Sequence, residues 1–157
     1  MTYPNATHLS LNLTRAEMAC NCGAPMTPAL VHNAEKYAPA WQKVRVLYDA
    51  PMVINCGHRC QKCNLRVQGA PASTHLLARA TDNHGAKNTE GEAIAIAKAA
   101  LQVPEIRGIC VYDNAHGAFC HIDNRDGPRW LAVNGGKLPG DQDARLRRWV
   151  AAGKVVR

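Results

Sequence analysis

Aromatic side chains are scarce in this chain of 157 residues: Phe 1, Trp 3 and Tyr 4, together 5%. With so few rings, and with basic residues scattered, the stacking and phosphate-binding surface of a single-strand binder is not evident, and no specific nucleic-acid role is expected. No uninterrupted apolar run reaches the ~18 residues of a membrane span. The start, Met1 to Leu11, has no cationic segment leading into an apolar stretch, so synthesis in the cytoplasm without a signal peptide is expected. Repeats and low-complexity linkers are missing too, and the length suits one domain, 1–157, with a single core. Acidic residues are the minority, 12 against 19 basic, and the net charge of +7 favours polyanionic surroundings such as an anionic envelope or cell-wall polymer.

What is present reads as an ordinary globular chain, 46% hydrophobic and 20% charged. Thr14 and Glu17 have capping-box spacing and predict a short helix ending near Cys20. A second helix is expected from Thr27 and Pro28, with Pro39 dividing it from a third that contains Trp41, Val44, Val46 and Leu47. Pro51 to Asn55 reads as a buried strand delivering the chain into the irregular loop Cys56-Gly-His-Arg-Cys60. Arg79 to Asp82 reads as a strand and Asn83 to Ala86 as a turn. Thr89 and Glu92 offer a second capping box for a helix to about Gln102. Gly108 to Tyr112 and Ala118 to Asp123 predict a hairpin around a turn that holds His116. Phe119, His121 and Asp123 then share one strand face. Asp141 to Ala152 runs from acids to bases, as a helix dipole favours; it reads as a docked terminal helix, with contact to an anionic envelope as its second use.

The chemistry centres on Ser73-Thr-His-Leu-Leu-Ala-Arg-Ala-Thr-Asp82 and on Phe119-Cys-His-Ile-Asp123. Two neutral imidazoles and a carboxylate can hold zinc and leave a position open for water. The spacing of His75 and Asp82 by itself equally suits a surface pair, and the helical H-E-x-x-H of common metalloproteases is absent.

The run from Ser73 to Asp82 resembles S-x-H-x-x-G-x-A-x-D, the signature of the zinc D-Ala-D-Ala carboxypeptidase and endolysin peptidases of the M15 family. The segment ending His121-Ile-Asp123 is similar to that family's H-x-D form, and Ile54-Asn-Cys-Gly-His-Arg-Cys60 to its strand and loop; the resemblance runs from about residue 10 to 131. It implies an α+β domain of the Hedgehog/DD-peptidase type, with helices around a small antiparallel sheet that carries the site. It implies Zn2+ on His75, Asp82 and His121, and Arg59 hydrogen-bonding substrate near the scissile bond. Ser73 would orient the site. The activity implied is hydrolysis of an amide bond in the peptidoglycan stem or cross-link peptide by a monomeric enzyme. A wall hydrolase without a signal resembles a phage endolysin or virion-associated peptidase, reaching the host wall in the periplasm after release or injection.

This chain departs from the family pattern at four places. Ala78 stands where glycine is usual, His58 replaces a tyrosine, and Asn55-Cys56 replaces the serine region. Many relatives place an acidic general base three residues before the last ligand, and here that residue is Ala118. Asp123 is the first substitute and His116 the second, although Asp123 suits equally a role holding a ligand in place. If the missing acid means lost chemistry, the domain would be a zinc-stabilised binding or assembly module, such as a phage structural protein. Seven cysteines, an odd number in a chain without a secretion signal, read as thiols or metal ligands. Small, half-buried thiols are the favoured reading. Cys20, Cys22, Cys60 and Cys63 as a zinc knot, and Cys56, Cys60 and Cys63 as an iron–sulfur motif, are the other two.

Overall fold

Thr14 begins the first helix through a complete capping box: its side chain accepts from the Glu17 amide, and the Glu17 carboxylate accepts from the Thr14 amide. That helix, α1, is Arg15–Met18 and follows a two-stranded antiparallel ribbon of β1 (His8–Ser10) and β2 (Leu13–Thr14). The computed structural model describes residues 7–114, 117–134 and 136–137. The basic segment 141–152 and His116 lie outside the described residues.

Thr27 caps α2 (Pro28–Tyr48), a single helix of 21 residues. Pro39 therefore does not divide it, contrary to the expectation from sequence. A proline inside a helix costs about 3 kcal/mol, through one lost hydrogen bond and a clash. Pro39 lies on the exposed face, while Ala34, Tyr37, Ala38, Ala40, Trp41 and Val44 on either side of it are buried in one core. Burial of two such aromatic side chains is worth several kcal/mol and outweighs the break.

The main sheet has six strands: β3 (Val53–Cys56), β4 (Ala80–His84), β5 (Gly108–Asn114), β6 (Gly117–Asp123), β7 (Trp130–Val133) and β8 (Gly136–Lys137), in the order β3-β4-β6-β5-β7-β8. Each neighbouring pair is antiparallel except β5 and β7, which run parallel. The α+β class expected from sequence is the one observed, with this one parallel pair added to the sheet. β4 continues through Asn83 and His84, where a turn was expected. The helices α3 (Gln61–Arg66) and α4 (Glu90–Ala100) complete the order, and Thr89 and Glu92 form the capping box of α4 as predicted. Among the described residues, no helix is long and apolar enough to cross a membrane.

Strand parity separates core from site. On one face of β4 and β6, Thr81, Asn83, Cys120 and Ile122 point toward the helices. There the Tyr37 hydroxyl donates to the Ile122 carbonyl at 3.1 Å and lies 2.7 Å from the Thr81 hydroxyl, while the Trp41 indole donates to Asn83 at 2.9 Å. The opposite parity carries Ala80, Asp82, His121 and Asp123, paired as Ala80 with Asp123 and Asp82 with His121. The buried polar bonds fix the register of the two strands, and that register sets Asp82 beside His121.

Candidate metal centre

Ser73 caps a short 3-10 turn, Thr74–Leu77, whose second residue is His75. The turn ends at Ala78 with φ 53 and ψ 39, the left-handed region. This is the position where the family signature has glycine, and the alanine adopts the glycine conformation at a cost of about 1 kcal/mol. Ser73 accepts a long bond, 3.4 Å, from the His75 amide.

The turn, β4 and β6 bring His75, Asp82 and His121 together. His75 Nε2 lies 3.1 Å from His121 Nδ1 and 3.2 Å from Asp82 Oδ1, and His121 Nδ1 lies 3.0 Å from the same oxygen. Zinc bonds of about 2.0–2.1 Å to nitrogen and oxygen place neighbouring ligands of a tetrahedral ion about 3.3 Å apart. The three donors therefore approximate one face of such a tetrahedron. Each ring is turned by a partner on its far side: His75 Nδ1 donates to the Gly57 carbonyl at 2.7 Å, and His121 Nε2 donates to Asp123 Oδ2 at 2.8 Å. A neutral imidazole that donates from one nitrogen offers a lone pair at the other, so both rings aim lone pairs at Asp82. Three acceptor atoms this close require a cation between them, and the residues fit a divalent metal.

Without metal the cation is a proton. Burial opposes charge on His75, but Asp82 and then Cys56 outweigh it and hold the ring at about 10. Burial pushes Asp82 up, yet His75 and His121 keep it well below the usual carboxylate range.

Asp123 is fully buried. Its Oδ1 accepts from the Arg125 amide at 3.0 Å and from Nε at 2.9 Å; its Oδ2 accepts from His121, from Thr74 at 3.2 Å and from Arg125. Burial raises its pKa, while Arg125 and then His121 hold it far below the usual value. Gly108 stands opposite Asp123 in the sheet, and a Cβ there would meet the carboxylate at 2.2 Å. Arg125 also stacks on Trp130, 4.4 Å from the ring centre.

Arg59 reaches the same cleft. Its guanidinium donates to Asp82 Oδ2 at 3.4 Å and to Asn64 at 3.3 Å. The cleft has a volume of about 660 Å³ and is lined by Arg59, Asp82, Tyr112, Phe119, Arg125 and Trp130, among others. Among its described lining residues the sole carboxylate is Asp82. Ala118 is buried.

Sequence reasoning missed two contributors. The Gly57 carbonyl fixes the His75 tautomer, and glycine is required at that position because a Cβ would meet the Met18 backbone at 2.6 Å. Cys56 pairs with Asp82 across β3 and β4, and its sulfur lies within 4.8 Å of donor atoms of His75 and Asp82. A register shift between Ile54 and Cys56 puts Cys56 opposite Asp82, a placement that strand parity alone does not report. Cys20, Cys22, Cys60 and Cys63 form a separate group, so the cysteines of the iron–sulfur spacing are divided between two clusters.

Two imidazoles and a carboxylate lining a cleft, with an arginine bonded to the carboxylate, define the class of metal-dependent hydrolases. A family model described as Peptidase M15 matches residues 11–123, and the chain belongs to that family. It is thereby a metallopeptidase of the peptidoglycan-related type, from a family that is zinc-dependent in general. No curated protein matches the chain.

Proposed function

We propose that the protein is a zinc peptidase that hydrolyses an amide bond of the peptidoglycan stem or cross-link peptide, in the manner of a phage endolysin or virion-associated wall hydrolase. The observation that carries the reading is the donor triangle of His75, Asp82 and His121, 3.0–3.2 Å on each side, lining the cleft. Bound on these three side chains, zinc would act as a Lewis acid and bring the pKa of water toward neutrality. Arg59, which donates to Asp82, would donate to the carbonyl oxygen of the substrate as negative charge develops there. The basic chain suits an anionic wall polymer.

Asp123 serves as a positioning residue. Both of its oxygens are already engaged, and it acts through the His121 ring. Of the two candidates for the proton acceptor, Asp123 has both oxygens engaged and His116, which falls between β5 and β6 in the chain, is the one left for substitution to test. His116→Ala is expected to lower kcat about 10²-fold with metal content unchanged. An unchanged kcat would remove His116 from the mechanism.

Mass spectrometry of muropeptides released from purified peptidoglycan tests the function. A single new terminus in the stem or cross-link peptide, lost with chelator and restored by zinc, is expected. The second reading, a zinc-stabilised binding or assembly module, is favoured by Ala118 at the acidic position and by a cleft whose described lining offers no carboxylate beyond Asp82. Intact peptidoglycan at every pH, despite bound zinc, would select the module.

A further inference from the structure

Four of the seven cysteines meet away from the cleft chemistry. Cys20 and Cys22 follow α1, and Cys60 and Cys63 stand at and within the start of α3, forty residues further along the chain. Their sulfurs all lie within 4.8 Å of one another, with Cys20 and Cys22 at 3.4 Å and Cys22 and Cys60 at 3.6 Å. No disulfide joins any of the cysteines.

We propose that these four side chains form a second metal centre, a tetrathiolate zinc site with a structural role. Zinc bonds to sulfur of about 2.3 Å place tetrahedral sulfurs about 3.8 Å apart, close to the spacing observed. Apolar packing of small thiols does not account for the cluster, because Cys22 is exposed and Cys60 half-buried. The surroundings suit thiolates. The Cys60 amide donates to Cys20 Sγ at 3.4 Å, and the Arg66 guanidinium lies 3.7 Å from Cys63 Sγ. Four sulfurs with no open position describe a closed structural site, whereas the His75 centre has three donors and faces a cleft.

The site would staple two loops. The two segments already touch: the His58 amide of the β3–α3 loop donates to the carbonyl of Met18 at the end of α1 at 2.7 Å, and Asn21 donates to the carbonyl of Asn55 in β3 at 2.9 Å. Arg59 directly precedes Cys60, so a metal there would hold the loop that presents Arg59 to the cleft. The staple is independent of peptidase activity, and its readout is metal content.

The test is native mass spectrometry and elemental analysis of the full chain, purified under reducing conditions. Two zinc ions per chain are expected, falling to one in His75→Ala and to one in Cys22→Ser. Cobalt-substituted His75→Ala should keep a sulfur-to-cobalt charge-transfer band of four-thiolate intensity, beyond what Cys56 alone could give, and Cys22→Ser should lose that intensity. The cobalt spectrum of His75→Ala decides the matter even if the cysteine variant does not fold. A single zinc that disappears with His75→Ala, or a His75→Ala protein without the thiolate band, would overturn the proposal. So would a mass showing two disulfides among the four in protein kept reduced.

Discussion

The two donor clusters are built on different scaffolds. His121 and Asp82 face each other across an antiparallel register that buried hydrogen bonds from Tyr37 and Trp41 fix from behind, and His75 is turned inward by the Gly57 carbonyl. The four thiols come from the segment after α1 and from the start of α3, with Cys20 and Cys63 buried, Cys60 half-buried and Cys22 exposed. The first cluster is preorganised by the fold, so its donors should keep their places with or without a cation. The second brings together two segments forty residues apart in the chain, which the proposed metal would staple. On the proposed reading, a metal would supply chemistry at the first cluster and folding energy at the second.

The strongest break of this contrast is Asp82→Ala. It removes one of three donors and leaves His75 and His121 without their shared carboxylate. Peptide hydrolysis and zinc at this centre are expected to be lost, measured as muropeptide release and metal stoichiometry, while the sheet stays folded by circular dichroism. Retained stoichiometry would show that Asp82 is not a ligand.

Asp123→Asn is the next in size. Outer partners of metal-bound histidines are worth about 10–100-fold in metal affinity. Competition with a chromophoric chelator should show a loss in that range, with turnover restored by excess zinc. A turnover loss that excess zinc does not repair would instead make Asp123 the proton acceptor.

Protons should compete with metal at the preorganised centre. His75 is held at about 10 in the metal-free protein, above its ordinary value, so a metal must displace its proton at any pH below that. The apparent affinity is expected to rise about tenfold per pH unit between about pH 7 and 9, since each unit increases the neutral fraction tenfold. Asp82, held far below the usual range, adds nothing to this slope. A flat profile in titration calorimetry would place the charge of the metal-free site elsewhere.

Strand alternation and capping boxes make much of this fold readable from the sequence. Period two puts His121 and Asp123 on one face, and Thr14 with Glu17 and Thr89 with Glu92 locate two helices. What could not be read was decided by tertiary contact. Pro39 breaks a helix by local rule, yet burial of Tyr37 and Trp41 on either side carries the helix through it. The saturation of Asp123 depends on Arg125 and Thr74 approaching from outside β6, and no periodicity reports that. The zinc-knot grouping of Cys20, Cys22, Cys60 and Cys63 was legible in the sequence beside the favoured reading of small thiols, and what the fold adds is that the four sulfurs meet.

The smallest effect concerns whether the preorganised centre carries strain. Ala78 closes the turn that presents His75, at φ 53 and fully buried. Ala78→Gly would relieve about 1 kcal/mol of left-handed strain. Against this stand the loss of one buried methyl, about 0.8 kcal/mol, and the greater freedom of glycine in the unfolded chain, about 0.5–1 kcal/mol. The stability of Ala78→Gly in urea is expected to stay within about 1 kcal/mol of the wild type. Ala80→Gly, two residues on in β4 and equally buried, suffers both losses with no relief and should fall by about 1.5 kcal/mol or more. Equal losses at the two positions would mean that the turn holds no strain, and that an alanine can replace the family glycine there without cost to the metal site.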